Sequence, residues 1–588
     1  MEYLRPVARW LLSLLAVVLL VPTTVSAERP PAHQLLPENT LAYVRIVNVP
    51  ELRERYRETA IGRIGGDERV KPILSHLYGS LATAYQQIEE RVGVPLDALL
   101  SIFQGEACVA IVAPEEGRPN LIALVDVGDR LPEARILLKR GQEEIVAQGG
   151  TRTEERLGDV TMTVLDPPGS RQRLTLLEKE STIVIGSDTE LVKQLLKVWN
   201  GDDRVTTLSD NRHFTSIMNQ CGGNRAEPPH ALFYANPLEL IRKSGGGSSA
   251  IALATITAMG LDGIQAVGGA MTVAVDEFDG IADAHILLEP PHEGVVKMIA
   301  IESGGTSPEP WVPRDSASYI TVNWNIQQTY AELVRLVELF RGEGSWDRDI
   351  ANRISDRLEV DFEKDLIDNL EGRLTHVAWI VKPPRLNSQC TLIGVKLNDP
   401  AAGQRTLDKI MGHFPQRFKQ ETFGGVVTYQ LEAKTPRRNF DEETMRLPEP
   451  CFGVIGDYLL FSDSVKCLQQ AIVTKSDSSQ SLANELDYKL IASKISRHLG
   501  DSKAGMIIFS RPEESLRHMY MLATSSTMRS RLRDGAEGNP LLKALDAALE
   551  DNPLPPFSVL AQYMAPSGAV VTSDETGLHY TAFTLRRE

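Results

Sequence analysis

Leu36-Pro37-Glu38-Asn39-Thr40-Leu41-Ala42-Tyr43-Val44-Arg45-Ile46 stands near the start of this 588-residue chain. Its pattern returns 276 residues further on as Val312-Pro313-Arg314-Asp315-Ser316-Ala317-Ser318-Tyr319-Ile320-Thr321-Val322. In each stretch a proline and an Asn-Thr or Asp-Ser pair set a turn, and alternating apolar residues follow, as in a strand with one buried face. The recurrence predicts two copies of one domain.

The matching continues outward from both strands. Glu51 to Thr59 and Pro72 to Val92 read as helices, answered by Gln327 to Leu339 and Asp349 to Leu358. Val94–Gly105 and Val360–Gly372 each read as a short helix closed by a glycine cap. Strand patterns at 107–113 and 120–127 match 374–381 and 390–397, and helix Leu131 to Gln148 matches Pro400 to Phe414. Hairpins follow around Gly158 and Gly424, and Ser187-Asp188 and Ser462-Asp463 are placed to cap the next helices. Helices anchored by Phe214 or Tyr488 lead into buried strands at 231–237 and 507–512, each ending in a proline. Each half closes on a hairpin, with turns at Asp276–Gly280 and Asp574–Gly577. A self-similar period of this length signals duplication. Short turns between strands make antiparallel pairs whose apolar face helices must cover. The fold class expected is α+β, two tandem copies of a large, mostly antiparallel sheet with helices packed largely on one face. The expected division is a signal peptide at 1–27, a first repeat at 28–298, a linker at 299–311 and a second repeat at 312–588.

The pattern (Leu/Val)-Pro-x-(Asn/Asp)-(Thr/Ser)-x-x-Tyr-(Val/Ile), carried by Leu36–Val44 and Val312–Ile320, resembles a family of secreted bacterial proteins catalogued only as a domain of unknown function. The resemblance covers most of both copies and implies export and an α+β fold. It supplies no catalytic residues.

Arg5 and Arg9 precede an apolar run from Trp10 to Val21, and Val25-Ser26-Ala27 offers small residues for cleavage, the pattern of a secretory signal. As a helix this run rises only about 18 Å, against a bilayer core of roughly 30 Å, so cleavage is favoured over a retained anchor. No later run spans, and the expected location is periplasmic or secreted. Removing residues 1–27 takes away Glu2, Arg5 and Arg9, one net positive charge, and turns −16 into −17. That balance opposes binding to nucleic-acid phosphates. The five cysteines, Cys108, Cys221, Cys390, Cys451 and Cys467, read as small buried apolar groups rather than a disulfide framework.

No nucleophile elbow, zinc-protease helix, phosphate loop or dinucleotide fingerprint occurs, and no cofactor is expected. Asp276-Glu277-Phe278-Asp279-Gly280 has calcium-loop flavour but reads as a hairpin turn. His230, nine residues after Cys221, reads as ordinary loop composition. Asp361, Asp365 and Asp368 fall on one helical stripe and form a weak candidate for holding a cation, though such stripes are usually solvated. Between Ser244 and Val275 the only charged residue is Asp262. There Gly245, Gly246 and Gly247 precede an uncharged run containing Ile251, Leu253, Ile256 and Met259, which suggests a hinged lid over an apolar ligand. Met519 and Tyr520 give the second copy an apolar counterpart. The sequence therefore favours a non-catalytic envelope protein that binds an apolar ligand or a protein partner, or has a structural role. The alternative is a hydrolase whose carboxylates converge only on folding.

Overall fold

The computed structural model describes residues 29–587 except 115–116, 170–172, 223–226, 245–248, 300, 384, 433–444, 501, 526–528, 531–532 and 534–539. The first half supplies β1 (Thr40–Ile46), β2 (Ala107–Val112), β3 (Asn120–Asp126), β4 (Thr151–Leu157), β5 (Val160–Asp166), β6 (Leu174–Lys179), β7 (Thr182–Gly186), β8 (Ala231–Ala235), β9 (Ile264–Val275) and β10 (Phe278–Leu288). The second supplies β11 (Ser318–Asn323), β12 (Leu370–Ile380), β13 (Gln389–Leu397), β14 (Phe418–Phe423), β15 (Val426–Leu431), β16 (Cys451–Ile455), β17 (Tyr458–Ser462), β18 (Met506–Ser510), β19 (Ser567–Asp574) and β20 (Gly577–Leu585).

All twenty join one antiparallel sheet. From edge to edge the order is β4-β5-β6-β7-β3-β2-β1-β8-β9-β10, then across a central seam β20-β19-β18-β11-β12-β13-β17-β16-β15-β14. Each half thus follows the same strand order outward from the seam. With the helices between its strands, the chain is α+β.

The two opening stretches form as their residues dictate. Thr40 Oγ1 donates to the carbonyl of Pro37 and Ser316 Oγ to that of Pro313, each at 2.6 Å, closing the turn before the strand. Leu36 accepts from the amide of Leu208 and Val312 from that of Leu482, which ties each stretch to the loop before its second helix. Tyr43 and Tyr234 then pack edge-on against Phe214, and Tyr319 and Phe509 do the same around Tyr488. These aromatic triads centre two separate apolar cores. Helices Thr189–Trp199 and Arg212–Gly222 cover the first core, and Val465–Ser476 and Leu486–Leu499 the second. On the sheet's other face Val44 and its register neighbours Val109 and Phe233 stay exposed.

Several local expectations are corrected. Gly372 does not cap a helix. It lies inside β12 at φ +106°, where a Cβ would meet the Trp324 carbonyl oxygen at 2.3 Å, so close backbone approach selects the glycine. Gly105 likewise stands outside any helix, and a side chain there would strike the Asp126 carboxylate. Asp188 caps its helix by accepting from the amide of Leu191 at 2.8 Å, but Asp463 does not. Asp463 instead accepts from the amide of Thr391 and pairs with Arg446, leaving Ser464 at the cap position. Cys390 and Cys467 are bonded to each other, which departs from the reading of every cysteine as a free apolar group. Cys108, Cys221 and Cys451 are buried thiols, as expected. No helix among the described residues is long and apolar enough to cross a membrane.

Candidate metal centre at the seam

Strand alternation decides what the seam shows to the helices. In the β10–β20 register Ile281 faces Phe583, Asp283 faces Thr581 and His285 faces His579. Successive side chains point to opposite faces, so these six share the side on which both cores lie. The face is apolar at Ile281 and Phe583 and turns polar at the next two pairs along the seam. Asp283, His285 and Thr581 are all at least 95% buried.

Above them the ends of the helices Arg212–Gly222 and Leu486–Leu499 stand on either side of a cleft of about 620 Å³. Gln220 and Cys221 wall it from the first half, Lys494 and His498 from the second, and Asp574 closes one end. Lys494 is engaged by Glu277. Asp283, His498 and His579 converge: one donor atom from each lies within 4.8 Å of the other two. At their centre is the Thr581 hydroxyl, 2.7 Å from Asp283 Oδ1, 3.1 Å from His498 Nε2 and 3.2 Å from His579 Nε2. A hydroxyl has one proton and two lone pairs. If Thr581 donates to Asp283 it can accept from both rings, which places the imidazole protons on Nε2.

His285 sits beside this group, its ring 5.9 Å from that of His579. Burial, with the neighbouring His579, lowers its pKa below the usual imidazole value, which keeps it neutral. Burial pushes the Asp574 carboxyl up. The Thr576 side chain and the amides of Thr576 and Gly577 together outweigh it and hold the group below its ordinary range. The cleft thus sets the carboxyl groups of Asp283 and Asp574 beside the imidazoles of His498 and His579, with His285 packed against His579.

Two imidazoles and a carboxylate are a donor set suited to borderline divalent ions such as Zn²⁺. Tetrahedral ligands about 2.0–2.1 Å from zinc lie roughly 3.4 Å apart, so the donors would close by about an ångström and the threonine hydroxyl would turn aside. Three protein ligands would leave a fourth position facing the cleft.

The residues singled out in the sequence lie elsewhere. Gly245, Gly246 and Gly247 fall outside the described residues. Ile251 is 77% exposed on the helix Ser249–Ala258, Leu253, Ile256 and Met259 are half-buried there or just beyond, and none lines the seam cleft. Met519 is exposed, while Tyr520 packs on Phe557. Asp361 caps a short turn by accepting from the amide of Lys364, and Asp365 accepts from the amide of Asp361. Asp368 ends the same turn, so these aspartates serve local backbone geometry. In the Asp276–Gly280 hairpin, Asp279 accepts from the amide of Ala60. His230 Nδ1 accepts from the amide of Val273, and its Nε2 lies 3.7 Å from Glu51 Oε1.

The missed signal was present as spacing. Asp283-Ala-His285 and His579-Tyr-Thr581 both put ionisable or hydroxyl groups two apart on the last strand of a half, where alternation calls for core residues. That the two last strands are neighbours is a property of the sheet order, which no local pattern carries.

No protein-family model matches the chain, and no curated protein matches it. A solved structure described as crystal form III of TP0453 aligns with a TM-score of 0.23 at 9% identity, over 46% of this chain and 89% of its own length.

Proposed function

We propose that this chain is an exported, non-catalytic binding protein of the cell envelope whose seam cleft takes one divalent transition-metal ion of the zinc class. The observation that carries the proposal is the convergence of Asp283, His498 and His579 on one point in a 620 Å³ cleft. Export is supported by the leader pattern at 1–27 and by the resemblance of the opening motif to a secreted family of unknown function. The shared strand order of the halves supports descent from a doubled unit. The ion would join Asp283 of the first half to His498 and His579 of the second, so binding it would also brace the joint.

The test is metal analysis of purified protein exposed to Zn²⁺ and then desalted. One ion per chain and a raised melting temperature are expected, with both effects lost in the His498→Ala/His579→Ala double variant. No retained zinc, or equal retention by the double variant, removes the proposal. Because imidazole must be deprotonated to ligate, retention should also weaken as pH falls.

One observation favours a second reading, a metal-dependent hydrolase: three protein ligands with a position open to a cleft is the arrangement of catalytic rather than structural zinc. Turnover of an ester or phosphoester panel by the zinc-loaded protein, abolished in the double variant, would select it.

A further inference from the structure

At the far end of the second half a groove of about 570 Å³ runs between the helices Asn352–Leu358 and Pro400–His413 and the hairpin β14–β15. Ile354, Leu358, Ile410, Met411, Phe414, Phe418 and Leu431 make its floor and walls. The remaining lining residues are Arg353, Arg357 and Arg417, all exposed. No acidic residue lines it. Among the described residues none of the three guanidinium groups has a carboxylate within ion-pair distance, and Arg417 rests over the Phe414 ring at 6.0 Å. Of the acids beside the groove, Glu359 is held by His413 at 3.1 Å and Glu421 by Lys419, while Asp356 and Glu432 lie near it in sequence but neither lines it nor pairs with the three arginines.

The matching place in the first half is built differently. Beside helix Leu131–Ala147 and β4 a cleft is lined by Lys139, Gln142, Glu143, Val146, Ala147 and Arg152. There Lys139 pairs with Glu143, and Arg152 is held by Gln142 and Glu154. The same position in the fold therefore carries paired charge in one half and, among the described residues, three arginines without ion-pair partners beside apolar side chains in the other. In a chain of net charge −16, three arginines on one apolar groove, with no acidic partner among the described residues, favour an anion supplied from outside.

We infer that this groove binds a long-chain fatty acid, its acyl chain on the apolar floor and its carboxylate on Arg353, Arg357 and Arg417. An acyl chain gains roughly 0.8 kcal/mol per buried methylene, and guanidinium is the side chain best shaped for a carboxylate. The site is independent of the seam cleft and shares no residue with it.

The test is displacement of cis-parinarate fluorescence by palmitate on the full chain. Palmitate should compete, methyl palmitate should compete at least about tenfold less well, and added salt should weaken palmitate alone. The Arg353→Ala/Arg357→Ala/Arg417→Ala variant should lose about tenfold in palmitate affinity at unchanged melting temperature, since all three side chains are exposed. Equal binding of acid and methyl ester, absence of a salt effect or an unaffected triple variant would overturn the assignment. So would binding to phosphatidylglycerol vesicles without palmitate competition, which would make this a membrane-facing surface. The acid–ester and salt comparisons need no variant. Zinc retention should not change in the triple variant, which separates failure here from failure at the seam.

Discussion

Glu106 is the residue on which the opening of the first half converges. Its buried carboxylate pairs with Arg29 and Arg45 and accepts from the amide of Ala32 at 3.1 Å, tying the segment before β1, β1 itself and the start of β2. Replacing it by glutamine leaves two largely buried guanidinium groups without a counter-charge. Glu106→Gln should therefore cost about 3–5 kcal/mol, read from the urea midpoint at constant slope. The second half uses Glu309 in a related way. Burial raises its carboxyl, Arg373 at 2.8 Å opposes that, and Thr375 donates to it. His33 gives the protein an acid limit. Burial, with the Arg45 charge, lowers its pKa from 6.5 to about 4, and burial also lowers His285. The unfolded chain thus binds these protons more readily than the folded one. The contribution is complete above pH 6.5 and is lost as pH falls toward 4. The melting temperature should drop across that window, and His33→Gln should flatten the drop.

Among elements, the two helices that face the cores act as keystones. Phe214 is held edge-on between Tyr43 of β1 and Tyr234 of β8, so Phe214→Ala should cost about 3–5 kcal/mol by opening a cavity beneath two paired strands. A loss of less than about a third of that free energy, taken from the urea midpoint and slope, would mean the helix contributes little to holding them. These anchors were legible in the sequence, because an aromatic residue at helical spacing beside a strand motif has few other places to go. So were the turns made by Thr40 and Ser316, which depend on four consecutive residues. The second-half cap was not: Asp463 repeats the position of Asp188, but Arg446, from a segment without a counterpart in the first half, draws it away. The Cys390–Cys467 bond escaped for a similar reason, since β13 and the helix Val465–Ser476 meet only in the folded sheet. The seam cluster is the extreme case. Asp283, His498 and His579 are separated by up to 296 positions and gain meaning only when the last strand of each half becomes the other's neighbour.

At the scale of the molecule, that neighbourhood makes the halves interdependent. Nine register positions join β10 to β20, Glu277 pairs with Lys494 across the seam, Tyr563 donates to Asp67 at 2.9 Å, and Ile73 packs with Ala548 and Leu549. The recurrence in the sequence leads one to expect that residues 28–305 fold alone. The separate first core supports this, but β10 would then present an uncovered edge with Phe278 and Ile281 at its side. A protein of residues 29–298 should melt cooperatively and yet dimerise at micromolar concentration in sedimentation experiments. A strictly monomeric half with the full chain's stability would show the seam to be energetically idle.

The outermost strands carry a different message. β4, Thr-Arg-Thr-Glu-Glu-Arg-Leu, has six exposed residues out of seven, and β14 sets Lys419 and Glu421 on its rim. Two modules whose inner borders zip together would, with bland outer borders, keep adding copies into an endless ribbon. The ionic fringe at both ends makes each further addition bury charge against charge, so polymerisation halts after a single join and the ribbon has a defined width.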